Sequence, residues 1–269
     1  MALIHAGFFS NALGMCVACD VILPQKSSSL IGMKTDVKEG KMPVLWLLHG
    51  MSDNHTIWQR RTSIERYAAP LGLAVVMPNA HISSYADMAH GNKYFTYIAD
   101  ELPRIMHSFF PFSDKREDNF ICGLSMGGAG ALKIGLARSE NYGAIGCLSA
   151  GAFNRRQDDE NISEALRKRL AMYYGDRDLK GTEEDVFGNA ERIIKEGKTP
   201  PRIYHACGSD DFLLDRAHET RDFFNVFEGN PFDYTYDEDP GAHTWEFWDD
   251  HIQKFLAFLK LDALSDIRN

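Results

Sequence analysis

The chain has 269 residues, 44% of them hydrophobic and 25% charged, which excludes a disordered, collagenous or disulfide-built protein and leaves one domain or two open. Twenty-nine Lys and Arg against 38 Asp and Glu leave a net charge of −9, the wrong sign for a protein that binds nucleic acid or an anionic membrane. No apolar run reaches the length of a membrane span and no basic segment precedes an apolar run at the N-terminus, so a cytoplasmic location is expected.

Apolar runs at 3–9 and 15–23, around Asn11-Ala12-Leu13-Gly14, predict an opening antiparallel hairpin. Cys16 and Cys19 lie in its second strand, where residues three apart point to opposite faces. They therefore make a poor metal or redox half-site, and the odd, scattered set of Cys16, Cys19, Cys122, Cys147 and Cys207 reads as reduced thiols. Residues 27–41 are a polar connector. The continuous apolar runs 44–48 and 73–77 predict strands buried on both faces. A helix is expected over 99–110, where Ile98, Leu102, Ile105, Met106 and Phe109 recur at helical spacing and Pro111 ends the pattern. Residues 120–123 form the next strand and 127–138 a helix of small residues. Strands at 142–148, 203–207 and 234–236 and a closing helix at 245–259 complete the series.

Strands alternating with helices predict an α/β fold with a mostly parallel central sheet covered on both faces. Residues 151–200 break that rhythm between the sixth and seventh strands. They read as a charged insertion of two helices, 162–174 and 182–197, forming a wall or lid over the open end of the sheet.

Gly123-Leu124-Ser125-Met126-Gly127 matches G-x-S-x-G and sits between an apolar strand and a helix, the setting that exposes a serine hydroxyl on a strained turn. The glycines do not fit a dinucleotide or phosphate-binding loop, and His218-Glu219 lacks the second histidine of a zinc motif, so no cofactor and no metal are implied. A serine hydroxyl needs a base, and the base an acid that fixes its tautomer. In strand-turn-helix hydrolases these follow in the order Ser, acid, His. His243, on a Pro-Gly loop before the last helix, ranks above His205 and His107, which lie within a strand and a helix. For the acid, Asp211, three residues after Gly208, is preferred to its neighbours Asp210 and Asp215. The backbone N–H groups of Met126 and of Met51, in the loop after the 44–48 strand, are the candidate oxyanion donors. His49 is expected to shape that loop. Trp58, Tyr94, Tyr97, Phe212 and Trp245 flank these segments and are candidate substrate-binding residues.

At this point the motifs resemble a family. Leu47-Leu48-His49-Gly50-Met51-Ser52-Asp53-Asn54, Trp58, Arg61-Thr62, Val75-Val76-Met77-Pro78-Asn79, Gly123 to Gly128, Cys207 to Leu213 and His243-Thr244-Trp245-Glu246-Phe247-Trp248 together resemble the tributyrin esterases of the esterase D group of α/β-hydrolases. The resemblance runs from about residue 3 to 259 and is weakest over 151–200. It implies the α/β-hydrolase fold and a serine carboxylesterase acting on short acyl esters, with Ser125, Asp211 and His243 at the triad positions and Met51 and Met126 at the oxyanion positions. Relatives of that group include carbohydrate esterases (acetylxylan and feruloyl) and S-formylglutathione hydrolases. The last usually carry Ser-Gly-Leu-Thr where this chain has His49-Gly50-Met51-Ser52, which ranks that activity lower. Ala129 and Asp53 also depart from the group, where a large residue and a glycine are common, and both departures are expected to alter the pocket.

A single domain spanning 1–269 is expected, because one sheet must bring positions 125, 211 and 243 together. The expected partner is a small-molecule ester, and self-association into a homo-oligomer stays open. A hydrolase-fold binding protein without activity is the alternative of another class, and it is disfavoured because no triad residue is missing.

Overall fold

The structure is a computed structural model that describes residues 1–27, 31, 32, 35, 37, 40–152 and 162–261. Part of the expected polar connector and residues 153–161 of the expected insertion lie outside the described residues. The strands are β1 (Ala2–Ser10), β2 (Met15–Leu23), β3 (Val44–Leu48), β4 (Ala74–Pro78), β5 (Asn119–Leu124), β6 (Ala144–Leu148), β7 (Arg202–Gly208) and β8 (Thr235–Asp239). They form one sheet in the order β1-β2-β4-β3-β5-β6-β7-β8. β1 and β2 are antiparallel, β2 meets β4 antiparallel, and every pair from β4 to β8 is parallel.

The helices are α1 (Ile57–Arg61), α2 (Ile64–Ala68), α3 (Leu102–Phe109), α4 (Met126–Ala137), α5 (Glu164–Tyr174), α6 (Val186–Lys195), α7 (Leu214–Asn225) and α8 (Trp245–Phe258). The alternating directions of strand side chains explain the two cores. In β3, Val44, Trp46 and Leu48 join residues of α3, α4, α6 and α7 on one face. Leu45 and Leu47 join residues of α1, α2 and α8 on the other. Both faces are covered, so the central strands read as unbroken apolar runs.

β3 is followed by β4 on one side of it in the sheet and by β5 on the other. The loops leaving the carboxyl ends of β3 and β5 therefore diverge, and the crevice between them is where open α/β sheets bind ligands. The insertion follows β6 and precedes β7, as expected. Its α5 packs on the segment before α3 through the amides of Ala89 and His90, which donate to the Tyr173 and Met172 carbonyls at 2.8 and 3.1 Å. Lys133 of α4 reaches Glu184 at 2.7 Å, both side chains being buried.

The strands lie close to the positions expected, with 73–77 displaced by one residue and 142–148 shortened to Ala144–Leu148. The helix expected over 99–110 starts earlier, as a π-helical segment Thr96–Glu101 that leads into α3. Glu101, the last residue of that segment, is buried at the hairpin turn and accepts the amides of Asn11 and Ala12 at 2.8 and 3.2 Å. Helices α1, α2 and α7 are additions to the sequence reading. The first two have five residues each, too few for a period, and α7 buries only Ala217, Thr220 and Phe224. Cys16 is exposed and Cys19 buried, as their opposite faces require, and all five cysteines are free. No described helix is long and apolar enough to cross a membrane.

Candidate active site

β5 ends at Leu124 and α4 begins at Met126, leaving Ser125 alone on the turn with φ 51° and ψ −120°. A side-chain-bearing residue adopts such a conformation at a cost on the order of 1–3 kcal/mol, so the surroundings must hold it there. Its amide donates to the Leu148 carbonyl at 2.8 Å. The flanking glycines make the turn sterically feasible. A Cβ on Gly123 would lie 2.4 Å from the Gly127 carbonyl, and one on Gly127 would lie 2.6 Å from the His49 carbonyl oxygen.

His243, in the loop between β8 and α8, brings Nε2 to 2.9 Å from Ser125 Oγ. Its Nδ1 lies 3.0 and 2.9 Å from the two oxygens of Asp211, which follows β7. An ionised carboxylate only accepts, so Nδ1 carries the proton and Nε2 is left to accept from the serine hydroxyl. Burial by itself would raise the Asp211 carboxyl. Hydrogen bonds from the His243 ring and from the Leu213 amide, 2.8 Å away, outweigh it and hold the group below its ordinary range. Asp211 thus remains the counter-ion of an imidazolium forming beside it. Asp210 and Asp215 are exposed.

Met126 is the first residue of α4, where an amide has no intrahelical acceptor and the helix dipole adds positive potential. Met51 lies in the loop after β3, and β3 is registered with β5 so that Leu48 pairs with Gly123. Both candidate oxyanion amides thus border the Ser125 turn. His49 stiffens the Met51 loop. Its Nε2 accepts the Ala80 amide at 2.9 Å, so its Nδ1 carries the proton and donates to the Gly50 carbonyl at 2.7 Å. Burial pulls this ring down to about 4, keeping it neutral. His205, with Nε2 at 2.8 Å from the Ala150 carbonyl oxygen and Nδ1 at 2.7 Å from the Tyr234 hydroxyl, is likewise held down to about 4 by burial.

A cavity of about 470 Å³ opens over Ser125 and His243, with Met51, Asp53, Arg61 and Trp245 in its wall. The five aromatic candidates separate. Trp245 lines this cavity, and Phe212, 76% exposed, places its ring 4.4 Å from that of His243. Trp58, expected at the pocket, is a core residue whose indole N–H donates to the Leu48 carbonyl at 3.0 Å and whose ring supports Trp245 edge-on at 5.3 Å. Tyr97 and Tyr94 are also corrections. Both are buried in the core on the α3 side of the sheet, and the Tyr94 hydroxyl is turned to His81 Nδ1 at 2.9 Å. The physical reason is packing: both rings lie in the core cluster that also holds Phe95 and Ile98.

Asp53, a departure from the family pattern expected to alter the pocket, does line the cavity, and Arg61 joins it there without a signal in the sequence. They lie eight positions apart and meet the same cavity only because α1 turns back toward the loop, for which a five-residue helix leaves no periodic signal. Asp239, Asp250 and His251 also converge, but Lys254 Nζ already sits 2.5 and 2.9 Å from the two carboxylates, where a metal ion would be bound.

A strained serine at a strand-helix turn, backed by a histidine and a buried carboxylate on later loops of a parallel sheet, defines a serine hydrolase. Residues 10–259 match the family described as putative esterase, and the chain belongs to that family. It is 33% identical to an acetyl esterase of Caldicellulosiruptor saccharolyticus over 99% of this chain and all of the relative. Among solved structures it is similar to FphF, a fluorophosphonate-binding serine hydrolase of Staphylococcus aureus, with a TM-score of 0.83, 33% identity, and 97% and 99% of the two chains covered. It also resembles the S-formylglutathione hydrolase FrmB of the same organism, with a TM-score of 0.78, 34% identity, and 96% and 98% covered. The protein is a serine-dependent carboxylic ester hydrolase with the α/β-hydrolase fold.

Proposed function

We propose that the chain hydrolyses esters of short acyl chains, acetate through butyrate, with Ser125 as nucleophile, His243 as base and Asp211 as the acid that orients it. The single observation that carries this reading is the 2.9 Å approach of His243 Nε2 to Ser125 Oγ with Asp211 behind the ring. As Ser125 Oγ attacks the carbonyl carbon, its proton passes to His243 Nε2. The oxyanion is received by the amides of Met51 and Met126. Collapse of the tetrahedral intermediate returns the proton from His243 to the alcohol oxygen, leaving acyl-Ser125. Water, deprotonated by the same ring, then releases the acid.

The acetyl esterase relative supports the short acyl preference. Residues 1–269 act as one domain in this reading, with the insertion as a wall: Arg169 of α5 donates to the Met51 sulfur at 2.8 Å and so borders the cavity. The protein is expected to work in the cytoplasm. The test is a panel of p-nitrophenyl esters of increasing acyl length, together with S-formylglutathione. kcat/KM is expected to be highest at two to four acyl carbons, and a maximum at eight or more would overturn the assignment.

A further inference from the structure

The cavity contains a carboxylate that the esterase mechanism does not use. Asp53 follows the Met51 loop and lines the same space as Ser125 and His243. Its amide closes the turn to the Gly50 carbonyl at 3.3 Å. Its carboxylate, however, has no hydrogen-bond or ion-pair partner among the described residues. Glu246, the other carboxylate of the cavity, is held by its own backbone amide and by Thr244 at the start of α8.

A free carboxylate beside an oxyanion loop works against the chemistry, because it repels the negative charge that develops there. Arg61, at the end of α1, offsets this charge. It lines the cavity and acts on Asp53 electrostatically, yet does not touch it. The pair therefore presents an acceptor and a donor to the same cavity. A neutral hydroxyl fits both, donating to Asp53 and accepting from Arg61. Trp245 supplies an apolar wall beside them. Because His243 must pass its proton to the leaving oxygen, the group that occupies its side of the cavity is the alcohol part of the ester.

We propose that Asp53 and Arg61 form an alcohol-side subsite that selects monoesters of polyhydroxy alcohols, binding a free hydroxyl next to the ester oxygen. This rests on the serine esterase reading above. It makes Asp53 a specificity-determining residue of this chain.

The test compares glycerol 1-acetate with propyl acetate, which has the same carbon skeleton without the hydroxyls, as a ratio of kcat/KM values. The wild type is expected to prefer the glycerol ester by on the order of tenfold, the scale of one hydrogen bond to a charged group. In Asp53→Ala and in Arg61→Ala the ratio is expected to fall to about 1, carried mainly by KM. An unchanged ratio in both variants would overturn the proposal, as would a wild-type preference for acetylcholine over both esters. If Asp53→Ala does not fold, the isosteric Asp53→Asn serves, with the ratio expected to fall at least threefold. Absence of turnover on all these esters and on p-nitrophenyl acetate in folded wild type would instead overturn the underlying esterase reading.

Discussion

Gly208 and Gly241 meet backbone to backbone: a Cβ on Gly208 would lie 2.3 Å from the Gly241 carbonyl oxygen. The amide of Asp210 fastens the same approach by donating to that oxygen at 2.8 Å. Asp211 and His243 are thereby anchored on two loops held in contact a few residues away. Gly208→Ala is expected to force the loops apart, costing about 1–3 kcal/mol of stability by overpacking. It should also lower kcat by more than tenfold while the protein remains folded. Thermal melting and esterase kinetics on the same preparation check both effects.

Ser125→Ala removes the hydroxyl but keeps the strained backbone. Turnover of p-nitrophenyl acetate is expected to fall by on the order of 10⁶-fold, with labelling by a fluorophosphonate lost and the melting temperature retained. Ser125→Gly relieves the left-handed strain as well. It should melt at or above the wild type, although glycine adds roughly 0.5–1 kcal/mol of entropic cost.

Asp211→Asn keeps the shape of the acid but removes its charge and changes the hydrogen bond available to His243. A loss in kcat on the order of 10⁴-fold is expected with KM little altered. Asp210→Ala, on an exposed neighbour, should stay within about twofold, as surface changes away from such features do. A larger loss in Asp210→Ala than in Asp211→Asn would reverse the choice of acid.

Acid should destabilise the fold through His49 and His205. Their rings titrate near 4 in the folded chain and near 6.5 when unfolded, so between those values the unfolded chain binds more protons. The stability they provide is complete above about pH 6.5 and is lost as pH falls toward 4, on the order of 3 kcal/mol for each ring. Chemical denaturation followed from pH 7 to pH 4 is expected to show this slope. His205→Gln should make the slope shallower.

The buried pair of Lys133 and Glu184 ties α4, the helix behind Ser125, to the stretch between α5 and α6. Lys133 also donates to the Ser84 carbonyl at 2.8 Å. Glu184→Ala leaves a buried ammonium with one acceptor fewer and is expected to cost about 3–5 kcal/mol, whereas replacing both residues by apolar ones should cost less. Limited proteolysis checks where the chain loosens, with cleavage expected within 162–197 before the sheet is attacked.

Much of this protein is determined locally and is therefore legible in the sequence. β3, β5 and β7 are buried on both faces, and that burial writes itself as continuous apolar runs. Ser125 stands out because its turn demands glycines at 123 and 127, and His243 because a loop residue between the last strand and helix has few other uses. The π-helical start before α3 and the short α1 and α2 were invisible, because they depend on partners distant in sequence or on too few residues to show a period.

The tertiary structure decided what proximity in sequence could not. Trp58, Tyr94 and Tyr97 flank the machinery along the chain, yet they point into the core, because the direction of a side chain is set by the packing of its element. Asp211, preferred to Asp210 for its place three residues after Gly208, is the one that the packing buries beside His243. Asp53 and Arg61 share a cavity only through the fold of α1. Residue types and their order along the chain thus specified the chemistry, whereas the facing of each side chain across the crevice, and with it the shape and charge of the pocket, arose from long-range packing.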